Sequence, residues 1–350
     1  MNLNDRDWKP FKIEDIFVVN KGIYLNKKNI IEGNTPYITA KAIDNGINDF
    51  IGNGALFLED AITIEKISLS AFYQPHEFYC SHDVSVIQND NLNEYVSLFV
   101  CTMIKRQGVK YSYGRQAQLN VVKRETIFLP IDESGKPDWL FMDNYIKQRL
   151  ITKSGKYKKY ITEILLNIIY KKIVSLSEKE WKKFMICDIC EIFSGKDIYD
   201  VERVNGDIPY ITATSTNNGM KYFVSNSNTT LGGNAISVNR NGSVGYAFYH
   251  KYEALYSNDC RKLKLKQYDN EYVSLFLTNQ IMQQKEKYNY GYKLGTARLK
   301  KQYIMLPTND KNEPDYEYME QYIKNVMFKK YNEYISWNLM VKFASAGSKC

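Results

Sequence analysis

The chain has 350 residues, 44% hydrophobic and 25% charged, with 47 Lys and Arg against 39 Asp and Glu for a formal net charge of +8. That composition excludes a disordered or collagen-like chain, and the length suits two domains, each with its own core. Six scattered Cys and three His exclude a disulfide scaffold, and 29 Tyr outnumber 16 Phe and 4 Trp together, which suits half-wet contact surfaces. No apolar run approaches the roughly 18 residues of a membrane span. The polar, acidic start MNLNDRDWKPF lacks a signal-peptide pattern, so a cytoplasmic location is expected. The positive balance points to a polyanionic partner.

In chain order, an amphipathic start over 8–17 leads to strand-like pieces at 36–41, 61–67 and 83–88, broken by Asn and Gly turns. A helix follows over Glu94–Arg106, with Val96, Phe99, Val100 and Met103 on one face. A polar Tyr/Gly/Gln loop and a strand at Thr126–Pro130 come next. The stripe Ile161, Ile164, Leu165, Ile168 and Ile169 then predicts a long helical tail, with a kink at Gly155. The order begins again at 181–193. Strands are predicted at 209–214, 234–239, 261–266 and Tyr303–Pro307, and a helix over 271–287. The second tail carries Met319, Tyr322, Ile323, Val326, Met327, Tyr331, Tyr334 and Ile335.

The residues themselves recur. Trp8-Lys9-Pro10-Phe11 returns as Trp181-Lys182-Lys183-Phe184, Pro36-Tyr37-Ile38-Thr39-Ala40 as Pro209-Tyr210-Ile211-Thr212-Ala213, and Asn45-Gly46 as Asn218-Gly219. Glu94-Tyr95-Val96-Ser97-Leu98-Phe99 returns as Glu271-Tyr272-Val273-Ser274-Leu275-Phe276. Leu129-Pro130 and Pro137-Asp138 return as Leu306-Pro307 and Pro314-Asp315. The period is about 175 residues, far longer than a solenoid repeat, so each copy is expected to be a domain. The fold class is α+β, written twice.

This doubled order resembles the specificity (S) subunit of DNA restriction-modification systems of the Type I and compact Type IIB kinds. The resemblance implies two tandem α+β target recognition domains, at 1–137 and 178–314. Long spacer helices would follow them at 138–177 and 315–342, pairing antiparallel as a coiled coil under pseudo-two-fold symmetry. It implies a non-catalytic chain that reads a bipartite, asymmetric site in double-stranded DNA. Its partner would be an adenine-N6 methyltransferase subunit, fused to or joined by a restriction subunit. S-adenosylmethionine and magnesium would belong to those partners, with no cofactor in this chain. Copy one departs from copy two at Glu65-Lys66-Ile67-Ser68-Leu69-Ser70, which stands where copy two has its Gly-Ser-Val-Gly turn and is two residues shorter than Asn239-to-Tyr246, a divergence that implies different half-sites.

Other chemistry finds little support. Asn34-Thr35-Pro36-Tyr37 and Asp207-Ile208-Pro209-Tyr210 lack the first proline of an adenine-methyltransferase tetrad and read as turns entering strands. Cys187-x-x-Cys190 is matched by Glu14 and Phe17, so it reads as structural. His76, His82 and His250 stand singly. A tandem carbohydrate- or protein-binding module, and a nuclease with an unrecognised active site, remain as alternatives.

Base-reading side chains are expected in the polar loops, because Arg or Lys matches guanine and Asn or Gln matches adenine. In copy one these are Lys41, Asp44, Asn45, Tyr113, Arg115, Gln116 and Gln118. In copy two they are Thr214, Ser215, Thr216, Asn217, Arg240, Asn241, Tyr292, Lys293 and Arg298. The aromatic tail residues Tyr318, Tyr322, Tyr331, Tyr334 and Trp337 are expected to dock the methyltransferase subunit. No residue is expected to bind metal or to be catalytic.

Overall fold

The computed structural model describes residues 1–289 and 291–347, the last ten as backbone alone, and divides into two units, Met1–Tyr157 and Lys158–Cys350. In chain order the first repeat carries β1 (Trp8–Lys12), α1 (Ile13–Ile16), β2 (Val18–Lys21), β3 (Glu32–Ile38), β4 (Ile47–Ile51), β5 (Ala61–Glu65) and β6 (Ala71–Gln74). It continues through β7 (Tyr79–Cys80), β8 (Val84–Gln88), α2 (Glu94–Arg106), α3 (Leu119–Arg124), β9 (Thr126–Pro130) and α4 (Trp139–Leu165). The second carries β10 (Trp181–Met185), α5 (Ile186–Ile189), β11 (Cys190–Ser194), β12 (Asn205–Ile211), β13 (Met220–Val224), β14 (Ala235–Asn239) and β15 (Ala247–His250). It ends with β16 (Leu255–Tyr256), β17 (Cys260–Leu265), α6 (Glu271–Met282), α7 (Thr296–Lys301), β18 (Tyr303–Pro307) and α8 (Tyr316–Gly347).

Both repeats build the same three sheets. They are β1-β9, β2-β8-β5-β6 and β4-β3-β7 in one, and β10-β18, β11-β17-β14-β15 and β13-β12-β16 in the other. Even the irregularities match, since Glu32 and Thr35 both oppose Ile51, as Asn205 and Ile208 both oppose Val224.

The doubled motifs have mechanical explanations. Trp8 opposes Pro130 and Trp181 opposes Pro307. Each indole stacks on a helix phenylalanine, Phe99 at 6.0 Å or Phe276 at 6.1 Å, and donates to the Leu3 or Leu176 carbonyl. Asp138 caps α4 by accepting from Phe141 N at 2.8 Å, and Asp315 caps α8 by accepting from Tyr318 N at 3.0 Å. A basic residue, Arg6 or Lys179, holds the second carboxylate oxygen of each. The Asn-Gly pairs sit in left-handed turns, with Gly46 at φ 77° and Gly219 at φ 76°.

The middle strand β5 is buried throughout because it is covered on both faces. Ile62 and Ile64 pack with Val96, Val100 and Ile104 of α2, while Ala61 packs with Ile38 and Phe78 below the three-stranded sheet. α2 begins where Asn93 accepts from Tyr95 N and Val96 N, and Asn270 caps α6 through Val273 N.

Several boundaries differ from expectation. Strands predicted at 36–41 and 209–214 end at Ile38 and Ile211, where Thr39 N and Thr212 N turn back to the Gly46 and Gly219 carbonyls. The helix predicted to Lys287 stops at Met282 and resumes as one tight turn over Lys285–Lys287. The predicted central helix 138–177 ends at Leu165, and α4 continues through Gly155 without interruption. Ile168 and Ile169 therefore lie beyond the helix. The segment after it is held instead by α8 side chains: Gln321 donates to Ile169 O, Tyr318 to Val174 O, and Asn325 both accepts from Lys171 N and donates to Lys171 O. Tyr290, in the second Tyr-Gly loop, and the side chains at 338–342 of the predicted tail lie outside the described residues.

Candidate nucleic-acid interface

Antiparallel pairing of β5 with β8, and of β14 with β17, brings the loops at one end of each four-stranded sheet together. In unit one the turn after β7 is fixed by Ser81 N to Ile38 O, and Ala117 N donates to Lys66 O at 2.7 Å, joining the loop before α3 to the β5–β6 turn. In unit two Ser257 N donates to Ile211 O, Ser243 N to Ala213 O, and Asn239 Nδ2 to Thr214 O. Arg261 Nε reaches Thr296 Oγ1 at 2.6 Å, tying β17 to the first residue of α7. Four loops thus share one surface in unit two, held by two backbone bonds and by the side chains of Asn239 and Arg261.

Copy-two residues are the more gathered. Thr214, Thr216, Asn217 and Asn241 line a cleft of about 550 Å³ with Asp259. The Thr214 and Thr216 hydroxyls lie 3.1 Å apart, and Ser215 is half-buried beside them. Asn241 Nδ2 donates to Asp259 Oδ1 at 3.2 Å, and Arg240 Nη2 lies 3.6 Å from the same oxygen. Arg240 Nε and Asn241 Oδ1 are shielded without a partner. Around the next loop, Arg298 stacks 4.0 Å over Tyr292 and donates to Lys293 O, while Tyr292 lies flat on Tyr288. Lys293 is exposed.

In copy one, Tyr113 is 81% exposed and Arg115 is open to solvent, on a loop anchored by buried Ala117. Leu294 is the buried anchor of the matching loop. Gln118 donates to Gln116 Oε1 and Gln116 to Tyr113 O, so these amides are held in a chain along the loop. Lys41 is countered within its own loop, donating to Ile47 O and pairing with Asp44 at 2.7 Å. Asn45 faces inward: its amide donates to Tyr73 O and Gln74 Oε1, and Asn218 donates likewise to Tyr249 O. The amide expected to read a base is a brace for its own turn. The sequence alone drew no attention to Asp83 or Asp259, although both fall immediately before a β-strand at matching places in the repeat.

One of the five residues expected to dock a partner is corrected. Tyr318 is buried, with its hydroxyl on Val174 O, while Tyr322 is half-buried and packs edge-on to Phe276 beside the core of unit two. Tyr331 and Tyr334 are half-buried, and Trp337 is 61% exposed, lining a shallow cavity of about 540 Å³ with Phe328, Lys329 and Glu333.

Burial pushes the Cys190 thiol up to about 12, far from a reactive thiolate. Among the described residues no three His, Cys, Asp or Glu side chains gather as a metal site, and no helix is long and apolar enough to cross a membrane.

Polar loop side chains of different kinds, Arg115, Gln116 and Gln118 on one unit and Arg240, Asn241 and Lys293 on the other, stand on two matched scaffolds. Comparison with known proteins decides the family. The Type I restriction modification DNA specificity domain matches residues 5–160 and again 178–334. The chain belongs to this family. The specificity subunit S.BcgI of a Type II restriction enzyme from Heyndrickxia coagulans is 37% identical over 324 residues, 90% of this chain and 93% of that one. The fold is that of the Type-I restriction-modification S subunit from M. genitalium, with a TM-score of 0.51 at 15% identity over 98% of this chain and 96% of the other. The protein is a non-catalytic specificity subunit of a restriction-modification system, with two recognition domains, and acts with DNA and the other subunits of such a complex.

Proposed function

We propose that each recognition domain reads its own half of a bipartite, asymmetric site in cytoplasmic double-stranded DNA. The chain then delivers to that site an adenine-N6 methyltransferase subunit, fused to or joined by a restriction subunit. S-adenosylmethionine and magnesium belong to those partners in this reading, and the helical tails set an unread spacer between the half-sites.

The supporting observation is difference upon sameness. The two units share sheet order and strand register, down to the same bulge. Yet Arg115, Gln116 and Gln118 stand on one loop where Tyr292, Lys293 and Gly295 stand on the other. A rigid scaffold with exchanged loop side chains presents two different donor patterns to a groove.

The test is a methylation map of the assembled complex on a duplex library randomised in both half-sites and in spacer length. Two unlike half-sites at a fixed spacing are expected. A single continuous site, or one palindromic site, contradicts the reading.

A further inference from the structure

We propose that Lys66 and Arg240 are equivalent base-reading side chains, one per domain, each directed at a guanine edge in the major groove and each positioned by an aspartate, Asp83 or Asp259. The inference rests on the bipartite reading and names one base position within each half-site.

Strand register makes the two pairs equivalent. Lys66 follows the last residue of β5 and Asp83 precedes the first of β8, with Glu65 opposite Val84. Arg240 follows β14 and Asp259 precedes β17, with Asn239 opposite Cys260. Lys66 Nζ lies 2.6 Å from Asp83 Oδ1, and Arg240 Nη2 lies 3.6 Å from Asp259 Oδ1.

Everything else about these turns differs. Glu65 folds its carboxylate onto its own turn, accepting from Ile67 N at 2.7 Å and also from Ser68 N and Ser70 N. Asn239 instead donates across to Thr214 O, and its longer turn needs Gly242 and Gly245 in the left-handed region. The basic–acidic pair is the element common to both. An ion pair at such a rim adds little to stability, so stability alone gives no reason for building it twice on unlike turns.

The chemistry favours a base edge over a phosphate. An aspartate beside the cation offsets its attraction for an anion, but it fixes the direction of the remaining N–H donors. Guanine offers two acceptors, O6 and N7, to such donors. The Arg240 fork is little used: one terminal nitrogen lies 3.6 Å from Asp259 Oδ1, while Nε is shielded and has no partner. Lys66 uses one of three donors on Asp83. Both pairs are also central to the surface, since Lys66 O accepts from Ala117 N, and Arg261, two residues after Asp259, reaches Thr296.

The experiment uses the full chain assembled with its methyltransferase subunit, binding a duplex library randomised in both half-sites, with the bound pool sequenced and melting followed in parallel. Lys66→Ala should relax discrimination about 5- to 150-fold at one G·C position of one half-site only, and Arg240→Ala at one position of the other. Asp83→Asn and Asp259→Asn should relax the same two positions, add nothing to the alanine variants in the doubles, and be rescued by Glu. A wild-type preference left unchanged by Lys66→Ala and Arg240→Ala overturns the inference but leaves the bipartite reading intact. Uniform weakening over all sequences with a shallower salt slope marks a phosphate contact and also overturns it. A lowered melting temperature with both half-sites blurred does the same. A wild-type complex without two half-sites removes the bipartite reading, and this inference with it.

Discussion

Glu125 and Gln302 occupy one point of the fold, each receiving the hydroxyl of a tyrosine fourteen residues earlier, Tyr111 or Tyr288. The acid differs from the amide in also holding Lys110 Nζ at 2.7 Å. Burial acts to raise the Glu125 carboxyl, but the bonds from Lys110 and Tyr111 outweigh it and hold the group below the usual carboxylate range. Because the folded value is depressed, the stabilisation is present above the unfolded value of roughly 4.3 and is lost as pH falls through the folded value. Glu125→Gln should cost about 1–3 kcal/mol at pH 7. Thermal melts should show the gap between wild type and variant narrowing towards pH 3; a constant gap contradicts the assignment.

His250 shows the opposite chemistry. It is fully buried, bonded to Ser237 Oγ at 2.8 Å, and pushed down to about 4 by burial. Register places Gln74 at the same point of unit one, bonded to Thr63 Oγ1 at 2.9 Å. A histidine depressed in the folded state stabilises fully above its unfolded value near 6.5, and that contribution fades as pH falls towards the folded value. His250→Gln should therefore melt close to wild type at pH 7.5. Between pH 6.5 and 4 it should escape an acid loss on the order of 3 kcal/mol. Parallel acid titrations of the two proteins would speak against this.

Asn325 closes both backbone groups of Lys171, at 3.1 Å and 2.6 Å. Asn325→Ala would leave these part-buried groups without this partner, so a loss of about 1 kcal/mol is expected. Hydrogen exchange should rise across 168–174 more than in the sheets. Unchanged protection there would mean that the tether contributes nothing.

The repeat made the fold legible. Two identical stretches such as Pro36–Ala40 and Pro209–Ala213 fold alike, and the apolar stripe of Val96, Phe99, Val100 and Met103 gave the α2 bounds to the residue. The end of α4 was hidden because Ile168 and Ile169 keep helical spacing, while side chains of α8, far along the chain, satisfy the backbone there. Residue type likewise misjudged Asn45, whose amide is taken up by β6, and Tyr318, which is buried with its hydroxyl on Val174 O. Asp83 and Asp259 escaped notice since their partners become neighbours only through antiparallel pairing.

Trp337 and Tyr322 should separate docking from folding. Trp337 is exposed beside Phe328, whereas Tyr322 packs on Phe276. Trp337→Ala should leave the melting temperature within about 1 °C and weaken assembly with the methyltransferase subunit by roughly tenfold or more, read by size-exclusion or calorimetric titration. Tyr322→Ala should lower stability by about 3 kcal/mol. Assembly unaffected by Trp337→Ala would move the docking surface elsewhere.

The loops before α3 and α7 should act on different half-sites. Their anchors, Ala117 and Leu294, are buried in separate cores, so Arg115 and Gln118 on one loop, and Lys293 on the other, project from supports that do not depend on those side chains. A bidentate Arg or Gln contact discriminates by about 1–3 kcal/mol, enough to decide one base pair. Arg115→Ala and Gln118→Ala should each relax one half-site and spare the other, and Lys293→Ala should do the reverse, with melting unchanged. Exposed side chains on an anchored loop have little folding energy to lose, which keeps recognition and stability separable. Methylation profiles over a randomised bipartite library decide the matter: loss at both half-sites together, accompanied by a lower melting temperature, would show that these loops support the domain rather than read DNA.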